Sequence, residues 1–331
     1  MINLKAPLYV NFEVTNNCNL KCKFCYAGER KAENFYSLEH HKEILDRLRE
    51  ADVFEVNFFG GEPTLYPYLK ELFEYAYDIG LFTGIVSNCY NISEKIIDVI
   101  KETDSGIGIS IHSCNPEKHD SIVQVKGAWF KTIESLKKIR EKGIPVTLNF
   151  TAIKSNYREI YEYIKFFVEK FDVQNIAVNR FFESGSGKKY NDLALSKSDI
   201  KELAELMKKA SQDFKVNISF ADMVPLCVLG KEYKDLVHKC NAGFSFCAIT
   251  PNGDVKICPT TEMVVGNIFK ESLTEIWNSE TLKEFRKFDW LCDKCKKCPY
   301  FKDCEGGCYF SDPRTNDRIY NVDYLVGCED E

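Results

Sequence analysis

The sequence predicts an α/β protein in which a parallel β-sheet of six strand–helix units precedes a smaller, cysteine-rich unit. Three observations predict this class. Apolar, β-branched segments alternate with segments of helical period up to about residue 215, the period changes after Val216–Phe220, and most of the 15 cysteines lie beyond that point. Repeated strand–helix units require parallel strands joined by right-handed crossovers, laid open or curled into a barrel.

The first unit begins with Tyr9–Val14, an apolar segment that ends at Thr15-Asn16-Asn17 and is predicted as a buried strand. Ser37 is a favourable N-cap for the first helix, which runs to about Arg49. The remaining strands are predicted at Val53–Phe59, Phe82–Val86, Ile107–Ile111, Pro145–Ala152 and Asn175–Arg180. The remaining helices are predicted at Tyr68–Tyr77, Glu94–Ile100, Thr132–Glu141, Arg158–Val168 and Lys197–Lys209.

The second unit contains a predicted β-hairpin, in which Phe246–Thr250 and Asp254–Cys258 are joined by Pro251-Asn252-Gly253. Asn-Gly favours the left-handed conformations of a type I′ turn. A helix is predicted at about Ser272–Phe285. The rest is loop-rich with little core of its own, which is typical of a unit that metal stabilises.

Composition and charge narrow the class of protein. The chain is 44% hydrophobic and 28% charged, as in ordinary globular proteins, and its net charge of -6 argues against a broad nucleic-acid or membrane surface. No signal peptide and no apolar run long enough to span a bilayer is visible. A cytoplasmic location is therefore expected, where thiols stay reduced and clustered cysteines indicate metal binding or catalysis.

Three cysteines, Cys18, Cys22 and Cys25, lie four and then three residues apart just after the first predicted strand. A [4Fe–4S] cluster is normally held by four cysteines, so a loop that offers three leaves one iron open to a small molecule. The alternative is structural zinc, which usually needs four ligands, often in CxxC pairs.

The segment Gly60-Gly61-Glu62-Pro63 follows the second predicted strand. Two successive glycines let the backbone approach a ligand closely, and Glu62 offers a carboxylate to an amine. In a parallel sheet, ligands bind at the carboxyl ends of the strands. Both motifs are therefore expected on one face of the fold.

Together these motifs resemble the radical S-adenosylmethionine (radical SAM) superfamily, whose loop carries an aromatic residue, here Phe24, before the third cysteine. The resemblance implies a partial (β/α)6 TIM-like barrel over residues 1–215. It also implies that SAM chelates the open iron. The implied SAM contacts are Phe24 for the adenine, Gly60, Gly61, Glu62 and Pro63 for the amino group, Ser110 for the ribose and Arg180 for the carboxylate.

Two of these contacts have an alternative explanation. Ser110 and Arg180 could equally make structural hydrogen bonds at the mouth of the barrel. The family often has Asp two residues after the position of Ser110, whereas this chain has His112.

The cysteines of residues 216–331 resemble the SPASM extension of radical SAM enzymes, which binds two auxiliary [4Fe–4S] clusters. The resemblance implies two closed sets of ligands, with zinc knuckles as the alternative. The sets are Cys240, Cys247, Cys258 and Cys308 for the first cluster, and Cys295, Cys298, Cys304 and Cys328 for the second.

Four cysteines fall outside these sets. Cys89 is predicted as a small buried hydrophobe. Cys227 and Cys114 are candidate catalytic thiols that could return a hydrogen atom to a substrate radical. Cys292 is a spare or exchanging ligand. The adjacent His40 and His41 are expected on an exposed helix surface.

The resemblance implies three [4Fe–4S] clusters and cleavage of SAM to methionine and a 5′-deoxyadenosyl radical, which abstracts hydrogen from a peptide or protein. Oxidation or cross-linking of a ribosomally made peptide is favoured. The alternatives are a peptide epimerase, an enzyme like the anaerobic sulfatase maturases, or an electron-transfer protein. Pro259 disfavours the sulfatase-maturase type, which has Asp at this position after the cluster cysteine. Expected partners are a reductant such as flavodoxin or ferredoxin and a separate leader-binding protein, without nucleic acid or membrane.

Overall fold

The computed structural model describes residues 4–28, 34–311 and 321–327. One sheet of ten strands forms its centre. The strands are β1 (Tyr9–Thr15), β2 (Glu55–Gly60), β3 (Phe82–Ser87), β4 (Gly106–Ser110), β5 (Val146–Ala152), β6 (Asn175–Arg180), β7 (Asn217–Phe220), β8 (Phe246–Ile249), β9 (Asp254–Lys256) and β10 (Val264–Asn267).

The helices surround this sheet and the cysteine-rich unit. They are α1 (Leu38–Glu50), α2 (Leu69–Asp78), α3 (Glu94–Glu102), α4 (Pro116–Val123), α5 (Ala128–Glu141), α6 (Ile160–Phe171), α7 (Lys197–Phe214), α8 (Leu226–Leu229), α9 (Leu273–Trp277), α10 (Glu280–Arg286), α11 (Asp293–Lys296) and α12 (Phe301–Cys304). Within the described ranges, none of them is both long and apolar enough to cross a membrane.

The strand order confirms the predicted α/β class. Strands β1 to β7 lie side by side in chain order and all pair in parallel, as successive strand–helix units require. Strand β8 pairs in parallel with the other side of β1, and β9 and β10 continue antiparallel beyond it. The cysteine-rich unit therefore extends the sheet of the first unit. The predicted domain boundary at residues 215/216 stays a prediction.

The pleat of β1 separates the core from an interior cavity. Val10, Phe12 and Val14 are almost fully buried in the main apolar core. Tyr9 and Asn11, which alternate with these residues along the strand, line the cavity. Because side chains alternate between the two faces of a strand, one strand supplies both surfaces.

The hairpin turn differs from its prediction. Of its three loop residues only Gly253 has a positive φ, of 85°, and its N–H donates to the carbonyl of Thr250 at 2.9 Å. This is a three-residue loop with a left-handed third residue, whereas type I′ needs positive φ at both central residues. Pro251 cannot reach positive φ, so a loop that includes it takes the longer form.

The helix predictions contain three errors. His41 is completely buried and its Nε2 lies 2.8 Å from the carbonyl of Val14, so the predicted exposed surface is wrong there. Helix α4 was not predicted, although Asn115 followed by Pro116 is a helix-start signal. The single helix predicted over 272–285 is two helices, because Ser279 caps a new one.

Candidate active site

The three-cysteine loop follows β1 and is held against the end of α4. The N–H groups of Lys21 and Lys23 donate to the carbonyls of Val123 and Ile122 at 3.0 and 3.1 Å. The three thiols are close enough to influence one another electrostatically, since burial, Cys25 and Cys18 all raise the pKa of Cys22. The loop therefore brings three thiols near one another, and their role as iron ligands stays a prediction.

The two glycines at the end of β2 pack directly on the start of this loop. The N–H of Gly61 donates to the carbonyl of Thr15, and that of Glu62 to the carbonyl of Asn17, both at 2.7 Å. A Cβ at Gly61 would lie 2.0 Å from the carbonyl oxygen of Asn17. Glycine is thus required at position 61 by the close approach of two backbones.

The carboxylate of Glu62 accepts four hydrogen bonds from the protein. It is 1% exposed, and Oε1 accepts from the hydroxyls of Ser87 and Thr64 at 2.6 Å and from the Thr64 N–H at 3.1 Å. Oε2 accepts from the N–H of Asn88 at 2.8 Å. Burial raises the pKa of Glu62, and these donors oppose that shift. The geometry gives this carboxylate a structural role in joining the ends of β2 and β3.

Glu62→Gln is expected to lower the free energy of unfolding by about 1–3 kcal/mol. The amide NH2 of glutamine cannot accept hydrogen bonds, so a buried backbone N–H loses its acceptor. Urea unfolding measures the change, with Glu71→Gln on the exposed surface of α2 as the matched control. Equal stability of the two variants would contradict the structural role of Glu62.

A cavity of about 480 Å³ lies at the carboxyl ends of the strands. The three-cysteine loop and the glycine segment line part of it, and cysteines of the second unit line another part. The predicted site residues on its surface are Cys18, Cys22, Phe24, Cys25, Gly60, Gly61, Glu62, Ser110, Arg180, Cys240, Cys258 and Cys308. Pro63, behind the wall, begins a short 3-10 turn. Two cysteine sets thus share one cavity.

His112 lines the cavity next to Phe24, with ring centroids 4.7 Å apart. Its Nδ1 accepts from the N–H of Thr151 at 3.1 Å, which places the ring proton on Nε2. Burial, with a smaller contribution from His119, keeps the pKa of His112 well below its usual range. His112 is therefore a neutral imidazole with one N–H donor.

Arg180 is 2% exposed and its guanidinium is already paired. It forms an ion pair with the buried carboxylate of Asp323 and donates to the carbonyl of Met223 at 2.9 Å. Its Nε has no hydrogen-bond partner among the described residues. Arg180 thus ties β6 to the C-terminal segment.

The first auxiliary set is only partly assembled. Burial and, after it, the neighbouring Cys258 raise the pKa of Cys240, and burial and Cys240 raise the pKa of Cys308. Cys247 is 1% exposed in the core, in register with Val10, whereas its neighbour Phe246 lines the cavity. The pleat of β8 therefore turns Cys247 away from the cavity, and its role as a ligand stays a prediction.

The second auxiliary set lies away from the cavity. Cys295 belongs to α11 and accepts at its carbonyl from the N–H of Cys298 at 3.0 Å, while Cys304 ends α12. Cys292 is the N-cap residue of α11. Cys328 lies outside the described residues.

The remaining thiols are not on the cavity wall. Cys89 is fully buried, as predicted. Cys114 is half-buried near Glu159, and Cys227 is exposed on α8. Their proposed role as hydrogen donors to a substrate in this cavity stays a prediction that the geometry does not favour.

Within the described ranges, no three Cys, His, Asp or Glu side chains surround one point as ligands of a single ion do. A cubane cluster instead holds its thiolates at separate corners.

Sequence reasoning missed two acidic residues near the cavity. Asp222 lines it, accepts from the backbone N–H of Arg180 at 3.2 Å, and has its pKa raised to about 6 by burial. It lies just after β7, so the rule that places ligand-binding residues after parallel strands could have found it. Asp323, the partner of Arg180, had no such signal because it lies in an irregular segment 143 residues further on.

A wider polar groove of about 1,110 Å³ adjoins the cavity. One side is formed by residues 182–188 and the other by the β8–β9 turn and residues 259–264. Tyr26, Phe182 and Phe310 line both spaces. The cavity and the groove therefore adjoin at these side chains.

Comparison with known families matches the two units separately. The model of the radical SAM superfamily matches residues 12–167, and that of the SPASM iron–sulfur cluster-binding domain matches residues 240–299.

Two curated proteins are similar over most of the chain. The antilisterial bacteriocin subtilosin biosynthesis protein AlbA of Bacillus subtilis is 28% identical, over 94% of this chain and 69% of its own. The PqqA peptide cyclase of Bradyrhizobium diazoefficiens is 27% identical, over 91% and 81%.

Solved structures of other proteins share this fold. The structure of Streptococcus suis SuiB bound to its precursor peptide SuiA superposes with a TM-score of 0.80 at 21% identity, over 98% of this chain and 76% of SuiB.

Proposed function

The chain belongs to the radical SAM superfamily and carries a SPASM domain, and from this premise we propose that it cleaves SAM reductively to oxidise or cross-link a ribosomally made peptide. The observation that carries the proposal is the shared cavity, which is lined both by the three-cysteine loop and by Cys240, Cys258 and Cys308. The similarity to a bacteriocin biosynthesis protein and a peptide cyclase supports a peptide substrate.

Cys18, Cys22 and Cys25 are proposed to hold the SAM-binding cluster. Their three thiols lie together and line the cavity, which fits a cluster with one iron open to it. When bound there, the cluster supplies the electron for SAM cleavage. The protein residues position SAM and keep bulk water away.

The surrounding residues fit the parts of SAM. The backbone at Gly60 and Gly61 is open to the amino group, because Glu62 already has four donors. Phe24 offers an apolar face for the adenine, and Ser110 lines the same wall. His112 is proposed to replace the Asp common in the family, since its Nε2–H can donate to a ribose oxygen. The carboxylate of SAM is assigned to Arg180 through the unpaired Nε.

The cysteines of the second unit that line the cavity favour a reaction in which the substrate is oxidised. Cys240, Cys258 and Cys308 are proposed to hold the first auxiliary cluster, with Cys247 as the predicted fourth ligand. Cys295, Cys298 and Cys304 would hold a second cluster, which gives three in total. A substrate in the cavity then lies beside an electron acceptor, whereas neither Cys227 nor Cys114 lines the cavity to return hydrogen. Oxidation or cross-linking is therefore favoured over epimerisation.

The polar groove is proposed to hold the peptide on either side of the modified residue. Its two sides face each other closely enough for Lys188 and Glu262 to lie 3.9 Å apart. An extended chain presents backbone donors and acceptors that a polar groove can satisfy. An external reductant such as flavodoxin or ferredoxin, and a separate leader-binding protein, complete the proposed system.

The test is an anaerobic reaction of reconstituted, reduced protein with SAM and the short peptides encoded beside its gene. We expect 5′-deoxyadenosine and a peptide product that has lost two hydrogens and contains no deuterium when the reaction is run in D2O. A product whose mass is unchanged in H2O and which gains deuterium when the reaction is run in D2O would instead identify an epimerase. Absence of 5′-deoxyadenosine from fully reconstituted protein would overturn the proposal in favour of electron transfer.

A further inference from the structure

Glu13 is a buried carboxylate to which the proposed reaction assigns no role. It lies near the end of β1 and is 5% exposed. Side chains alternate between the two faces of a strand, so Glu13 shares the face of the cavity-lining Tyr9 and Asn11 rather than that of the apolar core. It contributes to the lining of the polar groove. A carboxylate is thus held at the surface on which the peptide is proposed to lie.

The hydrogen-bond partner of Glu13 locates it within the groove. The hydroxyl of Tyr26 donates to its Oε1 at 2.8 Å. The ring of Tyr26 stacks on that of Phe59, with centroids 5.9 Å apart and planes 7° apart, and Tyr26 lines both the groove and the cavity. Glu13 therefore lies beside the junction of the two spaces.

No protein cation is paired with Glu13 in the part of the chain that the structure describes. Two lysines line the groove, Lys188 and Lys256, and neither forms an ion pair with it; Lys188 lies 3.9 Å from Glu262 instead. Glutamate is rarely buried without an opposite charge, because burial removes the water that stabilises the carboxylate. A bound ligand is therefore expected to supply the positive charge.

Aromatic side chains provide the rest of a binding site for a cation. Tyr26, Tyr36, Phe182 and Phe310 all line the groove. The faces of such rings attract cations, and they also pack against the aliphatic stem of lysine or arginine. The groove therefore combines a carboxylate for a charged head group with apolar surface for a long side chain.

We propose that Glu13 binds the side chain of a lysine or arginine of the peptide substrate, close to the residue that is modified. The assignment rests on the proposed function, which it deepens by naming a feature of the peptide. Because Tyr26 borders both spaces, a peptide held at Glu13 can enter the cavity within a few residues. Glu13 is thus a specificity-determining residue.

The first test is a double-mutant cycle on binding of the fluorescently labelled peptides encoded beside the gene. Binding to the anaerobic holoenzyme is measured with SAM but without reductant, so that no turnover occurs. Glu13→Gln keeps an acceptor for Tyr26 and removes the charge. It should weaken binding of the parent peptide by about tenfold or more. It should not weaken binding of the peptide in which the contacting lysine or arginine is replaced by norleucine.

Glu262→Gln is the matched control, because this second groove carboxylate has a side chain that is 95% exposed. An exposed ion pair contributes little, so peptide affinity should change by less than about threefold. Wild-type affinity of Glu13→Gln would contradict the assignment. An equal loss of affinity for the parent peptide and for every norleucine peptide would contradict it as well.

The second test needs neither a native peptide nor an intact Glu13 variant. Saturation-transfer nuclear magnetic resonance compares Nα-acetyl-lysine N-methylamide with its norleucine counterpart on the wild-type holoenzyme. We expect a stronger signal from the lysine compound, and we expect this difference to disappear in Glu13→Gln. Equal signals from the two compounds on the wild-type protein would refute the cation site.

These readouts separate the cation site from the proposed function. Binding of the lysine compound through Glu13 by a protein that oxidises no peptide would leave the site standing and remove the function. Oxidation of a peptide that contains neither lysine nor arginine would leave the function standing and remove the site.

Discussion

Replacing Cys18, Cys22 and Cys25 together by alanine is expected to remove about four of about twelve irons per chain and to abolish 5′-deoxyadenosine formation. The three thiols lie in one loop and line one cavity, and the neighbouring wall belongs to a different cysteine set. The loss should therefore be confined to one cluster. Iron analysis, ultraviolet–visible absorption and chromatographic assay of 5′-deoxyadenosine after anaerobic reconstitution measure it.

The control for this variant is Cys114→Ala, which removes a thiol that belongs to no predicted set. It should keep the full iron content and the wild-type rate of SAM cleavage. Retention of about twelve irons by the triple variant would contradict the assignment of the loop. Continued SAM cleavage by a triple variant that has lost those irons would also contradict this assignment.

Gly61→Ala is expected to slow SAM cleavage by about 100-fold, because the three-cysteine loop must move when its start is displaced. The added Cβ would lie 2.0 Å from the carbonyl oxygen of Asn17 and 2.8 Å from that of Asn16. Both atoms are backbone, so no side-chain rotation relieves the overlap. The free energy of unfolding should also fall, by about 1–3 kcal/mol.

Gly106→Ala is the matched control, since a Cβ there meets nothing within 4 Å. This glycine begins β4 and has no positive φ, so alanine fits its backbone. Measurements of SAM affinity, 5′-deoxyadenosine rate and urea unfolding should separate the two variants. Indistinguishable results would show that the contact between the glycine segment and the cluster loop does not position the site.

Much of the first unit could be predicted because its strands are buried and uninterrupted. Tyr9–Val14 was predicted where β1 spans Tyr9–Thr15, and Asn175–Arg180 coincides with β6. The prediction of the hairpin turn was wrong because two local sequence signals favour different turns. The Asn252-Gly253 pair favours a tight two-residue turn, but Pro251 lies inside the loop and imposes a longer one.

The part of the candidate site that is formed by residues close together in the sequence could be predicted. Cys18, Cys22 and Cys25 lie within one loop, so their chemistry follows from their order, and they share a cavity with Ser110 and Phe24 as expected. The contacts of Glu62 were not predictable, because Ser87 and Asn88 arrive from a neighbouring strand. Asp323 reaches Arg180 from an irregular segment far along the chain, with no periodicity to reveal it.

The sequence by itself determined that this chain has an α/β sheet, a three-cysteine loop after the first strand and a second cysteine-rich unit. These properties depend on local order and on the regular alternation of apolar segments. Only the tertiary structure decided which cysteines face one another. Parallel pairing of β8 with β1 brings the second unit to the cavity, and the pleat of β8 turns Cys247 into the core. Such contacts join residues far apart in the chain, and packing and strand register create them.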